Sequence, residues 1–392
     1  MNFELGAEER AFQAEVERFL EENRSDAVMD RNPEQLSQTV DTPAKRAFMR
    51  KLAAKGWLGM SWPRQYGGAE RPGIYDFILT EALSRHGAPQ PGKGVGIVGK
   101  TLIRHGNEKL KQYFLPRIIR GEIEFAIGYS EPQAGSDAAN MQLKAVRDGA
   151  GWRLNGQKIW TTSAHFADWY WVGARTDPDA PKHKGITLFL IRMDDPGLTI
   201  RPTWTIGDER TNEVFFDDVF VSDEFVVGEL NRGWTYVCEA LDLERFAMMP
   251  IGPLEEKLDA LCAWVRGARR DGAPLRDDPL VRGRIARFVA QLEVARMLQR
   301  RVISEAVKGR VPTVESSMYK LYMNELGKRV ADGALELMSA AGQLEVGEEG
   351  APLGGRFERS YRYTVVDTIG GGTSEIQKNI IARRGLGLPP SY

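Results

Sequence analysis

The sequence predicts an α+β protein in three consecutive parts, helical, then β, then helical, and three observations carry that prediction. Near the N-terminus Phe12, Val16, Phe19 and Leu20 recur at helical spacing. In the middle the apolar period shortens to that of strands, in the runs Trp152–Trp160, Gly185–Ile191 and Glu213–Val221. From about Gly233 the helical period returns. With 392 residues, 42% of them hydrophobic, the chain is long enough to bury more than one structural unit.

The first part is read as residues 1–124. After the opening helix, Leu102 to Ile119 repeats the helical pattern, with Pro116 as a local interruption. Between them, Gly94-Val95-Gly96-Ile97-Val98-Gly99 fits the Gly-x-Gly-x-x-Gly pattern of dinucleotide binders. The pattern needs a preceding strand, and Ala88-Pro89-Gln90-Pro91 does not supply one. The second part, 125–232, opens its β content with Trp152-Arg153-Leu154, a two-residue Asn155-Gly156 turn suited to positive φ, and Gln157 to Trp160. Further turns are expected at Asp195-Pro196-Gly197 and Asp217-Asp218, giving a small antiparallel barrel or sandwich. In the third part, 233–392, one helix face carries Val281, Ile285, Phe288, Val289 and Leu292, and another carries Met318, Leu321, Tyr322, Leu326 and Val330.

Composition removes several classes of function. A net charge of -1 argues against a broad nucleic-acid footprint, which needs Lys and Arg in excess. Cys238 and Cys262 are far apart and the four histidines, His86, His105, His165 and His183, are scattered, so neither a disulfide framework nor a metal site is expected. No apolar run reaches the length of a membrane span, and Met1 to Glu22 is acidic rather than basic then apolar, so a cytoplasmic, unprocessed protein is expected.

Three segments carry the chemistry. The first is Ile127-Gly128-Tyr129-Ser130-Glu131-Pro132-Gln133-Ala134-Gly135-Ser136-Asp137, and the second is Asn155-Gly156-Gln157-Lys158-Ile159-Trp160-Thr161-Thr162-Ser163. The third is Ile369-Gly370-Gly371-Gly372-Thr373-Ser374-Glu375-Ile376-Gln377. Taken singly, the first reads as a polar loop and Trp160 as core. Taken together and in order, they resemble the acyl-CoA dehydrogenase family, over a span from near Leu5 to Pro389. The resemblance implies a helical N-terminal domain, a β middle domain and a C-terminal four-helix bundle, with FAD as cofactor. It implies that Ile127, Tyr129, Ser130, Ser136, Trp160, Thr161 and Thr162 hold the flavin half of FAD, that Thr373, Ser374 and Glu375 add C-terminal contacts, and that Ser136 lies near the thioester arm. By the same layout Gly92 to Gly99 lies near the far end of the acyl pocket, where small residues leave room for a bulky group; an interhelical loop is the plain alternative.

The family's usual base is the Glu before the Gly of the third segment, and here that position is Gly371. Leu241-Asp242-Leu243-Glu244-Arg245 resembles the isovaleryl-type branch, whose base lies on a different helix, so the resemblance makes Glu244 the catalytic base. Without it, Glu244 is an ordinary helical carboxylate. Gly371 keeps a role through its backbone N–H, which any residue supplies to polarise the thioester carbonyl. Asp242, Arg245, Gly371 and Gly372 are the implied substrate contacts. The implied reaction is α,β-dehydrogenation of an acyl-CoA to a trans-2-enoyl-CoA, with electrons passed to an electron-transfer flavoprotein. A non-catalytic acyl-CoA-binding subunit and an acyl-CoA oxidase are the alternatives.

Elements with which relatives clasp a neighbour's adenosine are altered. Arg270-Asp271-Gly272-Ala273-Pro274 keeps only the Arg of Arg-x-x-Phe-Gly, the following Gln falls near Val281, and Glu336 to Gly342 replaces Gln-x-x-Gly-Gly-x-Gly. Arg270 remains a candidate cofactor contact. A homo-oligomer, tetramer or dimer, is the general expectation. The alterations resemble actinobacterial enzymes of sterol side-chain breakdown, in which two unlike dehydrogenase subunits form a heterotetramer.

Overall fold

The N-terminal apolar stripe folds as its spacing dictates. In the computed structural model, which describes residues 5–30, 40–247, 250–308 and 312–389 except for the side chains of 241–247 and 306–307, α1 (Ala7–Glu22) buries Phe12, Val16, Phe19 and Leu20. α2 (Pro43–Ala54) starts where Thr42 Oγ1 accepts from the Lys45 amide at 3.2 Å, with Pro43 in the first turn. α3 (Ile74–Arg85), α4 (Gly99–His105) and α5 (Glu108–Ile119) follow. Pro116 does not interrupt as the sequence suggests: it sits inside α5. The break falls at Gly106-Asn107, because Asn107 Oδ1 accepts from the Leu110 amide at 2.9 Å and starts a new helix.

Eight strands come next: β1 (Phe125–Gly128), β2 (Lys144–Asp148), β3 (Gly151–Lys158), β4 (Trp169–Arg175), β5 (Ile186–Arg192), β6 (Leu198–Trp204), β7 (Arg210–Ser222) and β8 (Val226–Val227). They form one sheet in the order β6-β7-β3-β2-β4-β5-β8, with β1 also on β4. Most pairs are antiparallel as expected, but β1 runs parallel to β4 and β2 meets β4 in parallel at Lys144 and Arg175. Two expected turns are corrected. Asn155-Gly156 lies within β3 and Asp217-Asp218 within β7, and they face each other. The register shifts between Leu154 and Gly156, Gly156 has φ 142° and Asp218 has φ 54°, and Asn155 Oδ1 accepts from the Asp218 amide at 2.9 Å. A long partner strand thus converts two turn signals into one β-bulge. Asp195-Pro196-Gly197 is the turn it looks like, with Asp195 Oδ1 accepting from the Gly197 amide at 2.9 Å.

The C-terminal part comprises α6 (Gly233–Ala247), α7 (Gly252–Gly267), α8 (Pro279–Val307), α9 (Thr313–Met338), α10 (Arg356–Asp367) and α11 (Ser374–Ile380). Leu258, Leu261, Val281, Phe288, Leu292, Leu326 and Val330 meet in its core. Val289 does not share that face, being 42% exposed, since it lies one residue, about 100° of helix, beyond Phe288. The architecture is the α+β arrangement of helical, sheet and helical parts that the sequence predicts.

A second cluster joins helices to sheet: Phe114 and Leu115 of α5 pack with Trp62, Trp169, Trp171, Leu188 and, from α6, Val237. The glycine-rich segment is neither a loop nor a dinucleotide turn. Gly94–Val98 is a π-helical turn running into α4. Much of the volume its glycines save is used by the protein itself, since a Cβ on Gly99 would lie 2.2 Å from the Trp62 ring and one on Gly92 2.7 Å from Glu124 Oε2. On the other side of the bundle, Glu81 of α3 accepts from the amides of Ile251 and Gly252, each at 3.1 Å, and so fixes the start of α7.

Two buried charges set the electrostatics of the sheet. Lys158 Nζ lies 2.7 Å from Glu131 Oε1, the side chains 0% and 2% exposed. Glu131 also accepts from the amides of Gln142 and Leu143. Burial draws the Lys158 ammonium down to about 8, against the pull of Glu131. Lys158→Met strands the buried carboxylate, and should lower unfolding free energy by about 3–5 kcal/mol in a denaturant titration. Glu124, where α5 gives way to β1, is pushed up to about 7 by burial, with Arg46 opposing and Asp168 reinforcing the shift. Because the folded value exceeds the unfolded one, its contribution to stability is complete below about pH 4.5 and is lost as pH rises through about 7. Glu124→Gln should therefore match the parent at pH 4 and exceed it at pH 8 by on the order of 3 kcal/mol, read from melting curves at the two pH values.

Candidate functional site

The first two motif segments are brought side by side. Ile127 lies in β1 opposite Trp171 of β4, Trp171 Nε1 donates to Tyr129 Oη at 2.8 Å, and the Ser130 carbonyl accepts from the Ile159 amide at 3.0 Å. The Lys158–Glu131 pair clips the segments together beneath, and Lys158 Nζ also reaches the Tyr129 carbonyl at 3.2 Å. Two residues on, Trp160 has φ 61° and its side chain is 56% exposed. The core reading of Trp160 is thereby overturned. A bulky residue in the left-handed region is strained, and it persists only where neighbours fix it. Here the Thr161 amide donates to the Asn212 carbonyl at 3.0 Å, Asn212 Nδ2 donates back to the Thr161 carbonyl at 2.8 Å, and Thr161 Oγ1 bonds Tyr170 Oη at 2.9 Å. Lys93, from the glycine-rich segment, donates to Ser163 Oγ at 2.8 Å.

The hydroxyls of Ser130, Ser136 and Thr162 make no hydrogen bond among the described residues. An outward-facing indole beside unbonded hydroxyls fits a planar ring with polar edges, which is the chemistry of a flavin. Ser136 is exposed, next to Asp137, which pairs with Lys182 at 2.9 Å.

The third segment is a loop built to leave amides open. After α10, Gly371 and Gly372 adopt φ 65° and 94°, and Thr373 Oγ1 accepts from the Ile376 amide at 3.2 Å to start α11. Gln377 Nε2 donates to the carbonyls of Gly372 at 3.0 Å and Gly371 at 3.4 Å, and its Oε1 is buried without a partner among the described residues. The amides of Gly371 and Gly372 are unbonded among those residues. Ser374 is buried and donates to Glu325 at 3.1 Å. Glu375 is exposed, and hydrogen bonds from its own amide and from Thr373 hold its carboxyl below the usual range. Sequence reasoning missed Lys320 and Asn324 of α9, 4% and 2% exposed, which both donate to the Asp367 carbonyl beneath this loop. Their i, i+4 spacing on a long helix was the available signal, hidden because both are polar.

Asp242, Glu244 and Arg245 lie on the last turns of α6, and their side chains fall outside the described residues. The helix itself is anchored: His105 bonds Glu239 at 2.8 Å and stacks on Tyr236, and α6 packs on the Gly94–Val98 turn and on α9. Arg270 does not join the others. It donates to the Leu337 carbonyl at 2.8 Å, roughly 25 Å along α9 from Lys320. Val281 is buried in the core, and Glu336 pairs with Arg284. Among the described residues there is no metal-ligand cluster and no helix long and apolar enough to cross a membrane.

Comparison with known proteins places this geometry. The acyl-CoA dehydrogenase N-terminal, middle and C-terminal domains match residues 6–122, 126–219 and 231–386. Acyl-CoA dehydrogenase FadE26 of Mycobacterium tuberculosis is 34% identical over 351 residues, 88% of either chain. Among solved structures, a steroid acyl-CoA dehydrogenase, Tcur3481-Tcur3483, superposes with a TM-score of 0.90 at 33% identity over all of both chains. The ChsE4-ChsE5 complex of M. tuberculosis gives 0.89 at 32% identity, again over all of both chains. The chain belongs to the acyl-CoA dehydrogenase family and is an FAD-dependent oxidoreductase that dehydrogenates acyl-CoA thioesters.

Proposed function

We propose that Glu244 removes the proton beside the thioester carbonyl of a bulky acyl-CoA, giving a trans-2-enoyl-CoA, and that the chain works alongside an unlike dehydrogenase subunit. One observation carries the reading of the base. The loop with unbonded amides at Gly371 and Gly372 has no carboxylate at Gly371, and Lys320 occupies the space beneath that residue, its Cε 3.4 Å from where a Cβ would stand. A base must then come from another element, and Asp242-Leu243-Glu244-Arg245 ends a helix that packs on both the glycine-rich turn and α9.

In this reading the Gly371 amide receives the thioester oxygen and polarises it, which acidifies the neighbouring carbon. Asp242, Arg245 and Gly372 hold the substrate against Glu244. Ile127, Tyr129, Ser130, Ser136, Trp160, Thr161 and Thr162 hold the flavin from the sheet side, and Thr373, Ser374 and Glu375 hold it from the loop side. FAD, when bound, would supply the hydride acceptor, and an electron-transfer flavoprotein would be the onward electron acceptor. A steroid-class acyl group is supported by the likeness to a steroid acyl-CoA dehydrogenase. Heteromeric assembly is supported by the two neighbouring structures, each of two unlike chains by its name, and by the engagement of Val281 and Glu336 within this chain.

Glu244→Gln should keep its fold and flavin content while single-turnover flavin reduction slows by about 10²–10⁴-fold, as loss of a general base requires. An unchanged reduction rate assigns the base elsewhere. Co-expression with a candidate partner should yield a mixed complex with more FAD per chain than the protein alone, measured by native mass and flavin absorbance. A pure homotetramer with one FAD per chain and full activity would remove the need for a partner.

A further inference from the structure

The loop that carries Gly371 rests on a buried cation. Lys320 is 4% exposed, donates to the Asp367 carbonyl at 3.2 Å, and passes its stem under Gly371, with Cε 3.4 Å from the position of a Cβ there. Asn324, one turn along α9, donates to the same carbonyl. That carbonyl belongs to the last residue of α10, where helical carbonyls lack intrahelical partners, so two side chains terminate the helix and set where the loop departs. From the far side, Gln377 holds the carbonyls of Gly371 and Gly372. Carbonyls are thus fixed at both ends of the loop, while the amides of Gly371 and Gly372 are unbonded among the described residues.

A charge this buried costs free energy unless its surroundings use it, and an apolar side chain of the same length would fill the space under Gly371 equally well. Two consecutive residues at positive φ have little backbone restraint of their own, so the amide direction depends on what is clamped on either side. We infer that Lys320 is a positioning residue for the dehydrogenation: by clamping the end of α10 and propping Gly371 it aims the Gly371 amide at the thioester oxygen. The inference rests on the proposed role of that amide, and it concerns stabilisation of the deprotonated substrate rather than the identity of the base.

The test uses the FAD-loaded protein, with its partner subunit if one is required, and a 3-thiaacyl-CoA. Loss of the α-proton from such a ligand beside oxidised flavin gives a long-wavelength charge-transfer band. Lys320→Met should leave flavin content, melting temperature and acyl-CoA affinity close to the parent. The apparent pKa for α-proton loss from the bound ligand should rise by about one unit, and flavin reduction by acyl-CoA should slow by about 10- to 100-fold. Lys320→Gln, which keeps a donor for the Asp367 carbonyl, should fall between. If Lys320→Met does not fold, Lys320→Gln decides, a raised apparent pKa sustaining the inference. An unshifted pKa in the folded variant overturns it. Failure of the base assignment is seen separately, as an undiminished rate in Glu244→Gln with Lys320 intact.

Discussion

The Lys158–Glu131 ion pair is the contact on which the sheet side of the site depends. It joins two segments that follow different strands, and both partners are almost wholly buried. A buried pair is weak evidence for net stability, because desolvation offsets most of the attraction. What it supplies is registry. Glu131 has four donors around it, from Lys158, Gln133 and the amides of Gln142 and Leu143, so neither segment can slide without stranding a charge. The strained turn at Trp160 comes two residues after Lys158 and is pinned on its other side by Asn212. Strain of this kind survives only between such fixed points.

The loop side obeys the same logic with different parts. In both places side chains take up backbone carbonyls: Lys158 that of Tyr129, Asn212 that of Thr161, Gln377 those of Gly371 and Gly372, and Lys320 with Asn324 that of Asp367. Donors spent on carbonyls leave amides and hydroxyls outward, which is the polarity needed to receive a carbonyl oxygen and the acceptor-rich edge of a flavin. On both sides, then, these side chains satisfy backbone carbonyls, while the Gly371 and Gly372 amides and the Ser130 and Thr162 hydroxyls stay unbonded among the described residues.

How legible this was in the sequence depended on whether the signal was apolar. The stripe of α1 and much of the core face of α8 follow from spacing alone, since burial of an apolar face leaves a period in the chain. The three motif segments were legible as motifs, and the structure sets the first two side by side. Asn155-Gly156 and Asp217-Asp218 were each a fair turn signal, and only the pairing of β3 with β7, a long-range fact, makes them halves of one bulge. Val289 was misplaced by a single step of the helix. Lys320 and Asn324 were invisible for the opposite reason, since polar residues on a buried face look like solvent-facing ones until the partner carbonyl is known. The glycines between Gly92 and Gly99 spoke of small volume but could not say whether ligand or protein uses it. Trp62 and Glu124 answer for Gly99 and Gly92.

Moving the base from the loop to α6, as the proposed mechanism does, changes what each element must do. A loop that carries a base has to orient a side chain, whereas a loop that carries only an amide has to orient a peptide plane. Glycine at positive φ serves the second purpose, and a side chain at Gly372 would come within 2.7 Å of the Gln377 amide nitrogen that holds the loop. The demand for precision passes to α6, whose C-terminal turns are steadied from both directions. His105 of α4 holds its earlier half, bonding Glu239 and stacking on Tyr236. Beyond its end, Glu81 grips the amides that open α7, and burial pushes that carboxyl up to about 7 although three hydrogen bonds favour its charged form. A buried carboxylate spent on the α7 start makes sense where a small shift of the preceding helix would misplace a proton acceptor, since near-attack geometry tolerates little more than a few tenths of an ångström.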